Sequence, residues 1–120
     1  YLGEVPHEII GSLLALGDVV LNTSLAEGQP QAVLEGMSLG LPSIMTAVPG
    51  NLNIITNGKE GFYVEDETNL CWAAQQLLED ESLRREMGSR AQALVSLKYR
   101  LEQELDAYDT LYCSLLSAQP

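Results

Sequence analysis

The first 58 residues of this chain contain neither lysine nor arginine. All six cations (Lys59, Arg84, Arg85, Arg90, Lys98 and Arg100) come later, against 17 carboxylates and a formal net charge of −11. So few cations cannot neutralise a nucleic-acid backbone, which excludes phosphate-driven nucleic-acid binding. No apolar run approaches the ~20 residues that a membrane-spanning helix needs. The two cysteines, Cys71 and Cys113, are too few for a disulfide scaffold and lack the grouping of a zinc site. They read as free, buried thiols in a reducing compartment. Neither a signal peptide nor an initiator Met is visible, and an opening on Tyr1-Leu2 reads as a piece of a longer protein.

What is present suits a folded core. The chain has 120 residues, 46% of them hydrophobic, enough for one domain or part of one. Tyr1-Leu2-Gly3 reads as a strand end entering a turn. Pro6 suits a first helical turn, Ile9, Ile10, Leu13 and Leu14 follow at helical spacing, and Gly17 reads as the C-terminal cap. Residues 18–22 form a nearly all-apolar run, fitting a strand buried on both faces of a parallel sheet. A loop from Thr23 to Gln29 precedes a helix from Pro30 to about Leu39, broken by Gly40-Leu-Pro42.

Residues 43–46 and 61–64 read as the next strands, with a short helix near Leu52 to Thr56 between them. Helices are expected from Glu67 to Glu79, after a Ser82 N-cap, and from about Leu101 to Ser117. Strands alternate with helices through residue 80, which predicts an α/β fold: a Rossmann-like parallel sheet flanked by helices, with a helical C-terminus.

In open parallel sheets, ligands bind beyond the carboxyl ends of the strands. Here the strand ending at Asn22 leads through the loop into a helix start. Gly28 would let the backbone approach a ligand closely. The helix start offers open N–H groups and the positive dipole end, suited to phosphate. Pro30 has no N–H, so the donors fall to Gly28, Gln29, Gln31 or Ala32. Glu35 lies roughly 7.5 Å further along the helix, and Glu27 just before it. Pyrophosphate on the helix start with a carboxylate on ribose hydroxyls is one reading. The residues alone favour a plainer one, in which Glu27 is a dipole or capping partner and Glu35 an exposed helix residue.

The motif SLAEGQPQAVLEGMSLGLP, residues 24–42, resembles the E-x7-E signature of retaining GT-B glycosyltransferases, family 4, the "glycosyl transferases group 1" domain. Seven residues separate Glu27 from Glu35. The flanks resemble the family too: Leu2-Gly3 with residues 13–20, then Gly40-Leu-Pro42, Pro49-Gly50, Asn57-Gly58, residues 61–64, and the helical pair around residues 78–87.

The resemblance implies a nucleotide-sugar donor, with Glu35 holding the ribose. Glu27 would be the catalytic residue that contacts the transferred sugar. Gly28, Gln29, Gln31 and Ala32 would hold the pyrophosphate, Ser24 would be structural, and Tyr1-Leu2 would pass the base. It implies retention of anomeric configuration, no metal and no other cofactor. The family's diphosphate-binding Arg and Lys, its N-terminal domain and its catalytic-side His have no counterpart in these residues. His7 matches none of them and reads as a surface or helix-start residue. Gly36 stands where Ala is commoner, costing ~1 kcal/mol of helix propensity and allowing close helix–strand packing.

Smaller features read plainly. Asp18 is a helix–strand turn residue, Trp72 a core residue, and Arg84-Arg85 a solvated face beside Glu81 and Glu86. Tyr99, Tyr108 and Tyr112 are placed to pack against an absent N-terminal domain, or to leave an apolar patch.

The expectation is therefore that residues 1–120 are part of the C-terminal, donor-binding domain of a cytoplasmic glycosyltransferase, inactive alone. It has no nucleic-acid partner and no transmembrane segment. Peripheral membrane contact is left open through the missing part. A nucleotide-sugar epimerase of the same fold, or a truncated binding or assembly module, are the alternatives.

Overall fold

The structure is a computed structural model that describes residues 2–117. Three short strands form a wholly parallel sheet in the order β1 (Val20–Asn22), β2 (Ser43–Thr46), β3 (Gly61–Val64). Val20 pairs with Ser43, and Ser43 with Gly61, so the strand starts align across the sheet. Helix α1 (His7–Leu14) precedes the sheet and α2 (Gln31–Ser38) joins β1 to β2. After β3 come α3 (Glu67–Glu79), α4 (Glu81–Lys98) and α5 (Leu101–Ser117).

The period of two along β2 divides the core. Met45 packs on one side with Val20, Val33, Leu34, Met37, Ile54, Ile55 and Ala91, which joins α2 and α4 to the sheet. Ile44 packs on the other with Phe62, Val64, Ala73, Leu77 and Met87, which seats α3. Helices on both faces of a parallel sheet are the layered solution that buries such strands. Gly36 is buried where α2 meets β1, and a Cβ there would overlap the Val20 side chain. The expected close helix–strand packing is thus what the glycine permits.

The three strands, the helix breaker at Gly40 (φ +82°) and the bounds of α3 and α5 agree with the sequence reading. Other features differ, each for a local reason. Helix α1 ends at Leu14 with Ala15 as its cap, and Gly17 is not in the left-handed region. The run at residues 18–22 is buried on one face only: Val20 is buried, but Leu21 is 58% exposed. The strand is three residues long, Val20–Asn22, its pairing with β2 running from Val20↔Ser43 to Asn22↔Met45.

No helix forms at residues 52–56. The chain turns there instead, with Asn53 at φ +74°, and still buries Ile54 and Ile55. Asp80, not Ser82, caps α4 by accepting from the Leu83 N–H. Leu2-Gly3 is not a strand, and Tyr1 lies outside the described residues.

Three side-chain expectations are also corrected. Cys71 and Cys113 are free but exposed, because they fall on outer faces of α3 and α5. Trp72 is half-exposed and meets Phe62 edge-on, with ring centroids 5.1 Å apart. Arg84 is not a solvated partner of its own helix. It is mostly covered, donates to the Leu77 carbonyl, and reaches Asp18 at 3.5 Å. Arg85 does pair with Glu81, at 2.6 Å. No helix among the described residues is long and apolar enough to cross a membrane.

Candidate functional site

The loop from Thr23 to Pro30 leaves the carboxyl end of β1 and runs into α2. Its shape is held by side chains from the strand ends. Asn22, the last residue of β1, donates from Nδ2 to Glu27 Oε1 at 2.9 Å. The same side chain accepts the Ser24 N–H at 3.1 Å through Oδ1, so one amide bridges the loop's start and its glutamate. The Thr46 hydroxyl, at the end of β2, donates to the Ser24 carbonyl. Asn51, fully buried, donates to the Thr46 carbonyl at 2.9 Å. Gly50 lies against the loop from behind: a Cβ there would overlap the carbonyl of Glu27 and press on that of Gly28.

This chain of contacts fixes Glu27 on the outer side of the loop. Hydrogen bonds from Asn22 and then Ser24 hold its carboxyl below the usual carboxylate range, against a smaller opposing effect of desolvation. Glu27 thus carries its charge on a carboxylate that Asn22 holds in place.

The start of α2 is open. No side chain caps it, whereas Asp66 and Asp80 cap α3 and α4. Val33 and Leu34 turn their N–H groups back to the Pro30 carbonyl. Gln31 and Ala32 are exposed, and their N–H groups have no backbone partner among the described residues. Gln31 and Gln29 share a long side-chain contact of 3.4 Å. Gly28 is exposed, with nothing near the position of a Cβ. Glu35 is partly exposed and borders a hollow of about 220 Å³ with His7, Ile10 and Ser38. His7 is the first residue of α1 and exposed, as expected for a surface residue.

All six candidate residues thus belong to one continuous loop and helix start, with Glu27 before the helix and Glu35 within it. Ser24 is pinned through its backbone, which suits a structural role. The sequence marks none of Asn22, Thr46 and Asn51 as a site residue, and Gly50 only as a landmark of a later loop. Their only signal was position: polar residues at the ends of two adjacent parallel strands, and a glycine in the turn beyond the second.

Comparison with known proteins supplies the class. The pattern of the family "Glycosyl transferases group 1" matches residues 1–94, and the chain belongs to that family. The chain is 38% identical over 118 residues to N-acetyl-alpha-D-glucosaminyl L-malate synthase of Bacillus anthracis, covering 97% of this chain and 30% of that protein. It is 29% identical over 112 residues to Glycosyltransferase 1 domain-containing protein 1 of Xenopus tropicalis, covering 93% of this chain and 32% of that protein.

Among solved structures, Anabaena Alr3699/HepE in complex with UDP and glucose superposes with a TM-score of 0.80 at 25% identity, over 87% of this chain and 29% of that one. Sucrose-phosphate synthase from Thermosynechococcus elongatus shares the fold with a TM-score of 0.88 at 24% identity, over 98% of this chain and 30% of that one. The fold matches the Rossmann-like domain of these GT-B glycosyltransferases. The chain spans about a third of the length of these relatives.

Proposed function

We propose that this chain is the donor-binding part of a retaining glycosyltransferase that moves a sugar from a nucleoside-diphosphate sugar to an acceptor. The observation that carries the reading is Glu27, held ionised by Asn22 at the mouth of a loop that opens onto an uncapped helix start. A fixed anion beside free N–H donors suits a ligand with hydroxyls on one side and phosphate on the other.

In this reading Glu27 accepts hydrogen bonds from the transferred sugar and positions it, as the catalytic residue. Gly28, Gln29, Gln31 and Ala32 hold the diphosphate, and Glu35 accepts from the ribose hydroxyls. Departure of the diphosphate is assisted by preorganised donors at the helix start, an electrostatic task that needs no metal. UDP is the first donor nucleotide to test, since it is bound in the related Alr3699/HepE structure.

The rest of the enzyme is a further domain, N-terminal to this one, that carries the acceptor site. Helix α5 supports its existence. It buries none of its residues and presents Leu101, Leu105, Tyr108, Tyr112 and Leu115 at alternating spacings of four and three. Such a stripe needs a partner, and the absent domain would cover it. The 120 residues alone would not transfer sugar, and the protein works in the cytoplasm.

The test uses a longer protein containing this chain. Glu35→Ala should weaken donor binding with turnover less affected. Glu27→Ala should lower turnover with donor affinity less affected. Unchanged donor affinity in the first variant, or unchanged turnover in the second, refutes the assignment of that residue.

A further inference from the structure

The junction between α4 and α5 folds back beside the loop that precedes α2. Lys98 and Arg100 there line a cleft of about 380 Å³ together with Gln29, Gln31 and Gln103. That volume falls in the usual range of small-molecule sites. Of the six cations, Arg84, Arg85 and Arg90 make the ion pairs found among the described residues, with Asp18, Glu81 and Glu86. Lys98 and Arg100 make none. Arg100 commits only its Nε, to the Ser96 carbonyl at 2.6 Å, which leaves its terminal N–H groups available.

Tyr99, between them, packs on the buried cluster of β1, α2 and α4, where burial raises its phenol above the ordinary range. It anchors the junction, so both cations arrive at the cleft from a fixed point. Glu104 lines the same cleft and offsets one of the two charges. The balance is still locally positive in a chain of net charge −11. Amide donors and unpaired cations around one hollow match an oxyanion, with Leu34 and Tyr99 forming the apolar part of the wall.

We propose that the Lys98–Arg100 cleft is an oxyanion subsite that binds a phosphate group. It adjoins the candidate donor site through Gln29 and Gln31 but does not depend on the donor reading. The phosphate belongs either to the nucleotide diphosphate or to a second substrate.

The test is a ¹H–¹⁵N NMR titration of the 120-residue chain with inorganic phosphate at low ionic strength, then with UDP. Phosphate should shift the side-chain amides of Gln29, Gln31 and Gln103 and the Arg100 Nε–H along one saturable curve. The double variant Lys98→Gln, Arg100→Gln should weaken that binding by roughly tenfold. Lys59→Gln, an exposed cation elsewhere, should leave it unchanged. Both changes are on exposed side chains, and the amide spectrum itself reports whether the fold is kept. Displacement of phosphate by UDP assigns the group to the nucleotide, and simultaneous binding assigns it to a second substrate; either supports the subsite. Shifts that do not saturate, or that persist unchanged in the double variant, overturn it. If phosphate binds as expected and Glu35→Ala in a longer protein containing this chain leaves donor affinity unchanged, the subsite stands and the donor reading falls.

Discussion

Gly50 packs against the backbone of Glu27 so closely that the smallest side chain at position 50 would overlap the Glu27 carbonyl. A turn beyond β2 thereby sets the path of a loop that leaves β1. The two strands are neighbours, so the loop and the turn emerge side by side at the carboxyl edge of the sheet.

Gly50→Ala is expected to displace the Glu27–Gly28 segment, since backbone cannot yield as a flexible side chain can. The cost should be about 1–3 kcal/mol, read as a lowered midpoint in thermal unfolding. Gly28→Ala is the contrast. Nothing lies near its Cβ position, so its midpoint should stay near that of the parent while donor binding in the longer protein weakens.

Asn22→Ala should return the Glu27 carboxyl toward the ordinary carboxylate range, since its hydrogen bond is the largest cause of the lowered value. The folded-state pKa lies below the unfolded one. The stabilisation by this carboxylate is therefore full above the ordinary carboxylate range and is lost as pH falls through the lowered value. A ¹³C carboxyl NMR titration of parent and variant reads both curves. Coincident curves would show that Asn22 does not hold the charge.

Gly36→Ala sets two effects against each other. Alanine gains roughly 1 kcal/mol in helix propensity. The added methyl overlaps the Val20 side chain in a packed interface. Overlap should win, giving net destabilisation in chemical denaturation. Adding Val20→Ala to that variant should cost less than the same change in the parent, a coupling of at least about 0.5 kcal/mol. Simple additivity would mean the glycine serves something other than this contact.

Removing residues 101–120 should leave the stability of the remainder nearly unchanged, within about 0.5 kcal/mol in chemical denaturation. Helix α5 buries none of its residues, and Leu101, Leu105 and Leu115 face solvent. The shortened chain should also be more soluble, which light scattering at rising concentration would show. A large loss of stability would mean that α5 supports the sheet.

The regular parts of this fold were legible because their signals are local. Residues 43–46 and 61–64 are short apolar runs between turn residues, and α3 has the same bounds in sequence and structure. The misreadings came where a tertiary contact decides. The run at residues 18–22 looks buried throughout, yet Leu21, in register with Ile44, lies on the face that α3 covers over β2 and β3 and is left exposed at β1. Residues 52–56 read as a short helix, but Asn53, Ile54, Ile55 and Thr56 are weak helix formers and the chain turns instead, delivering Ile54 and Ile55 to the core.

The site divides in the same way. Glu27 and Glu35 share one motif and could be named from spacing. Gly50 and Thr46, more than 20 residues from the loop's start, act through parallel pairing that no spacing records. Lys98 and Arg100 reach Gln29 only because α4 packs on α2 and ends beside it.

The most direct measurement is calorimetric titration of UDP into a longer protein containing this chain, comparing parent, Glu35→Ala and Glu60→Ala. Glu60 is a buried carboxylate that accepts from the Thr56 N–H and lies outside the loop. A ribose held by Glu35 predicts affinity lowered about tenfold or more in Glu35→Ala, with Glu60→Ala binding as the parent does wherever it remains folded. Parent-like affinity in a folded Glu35→Ala protein would contradict the donor-site assignment.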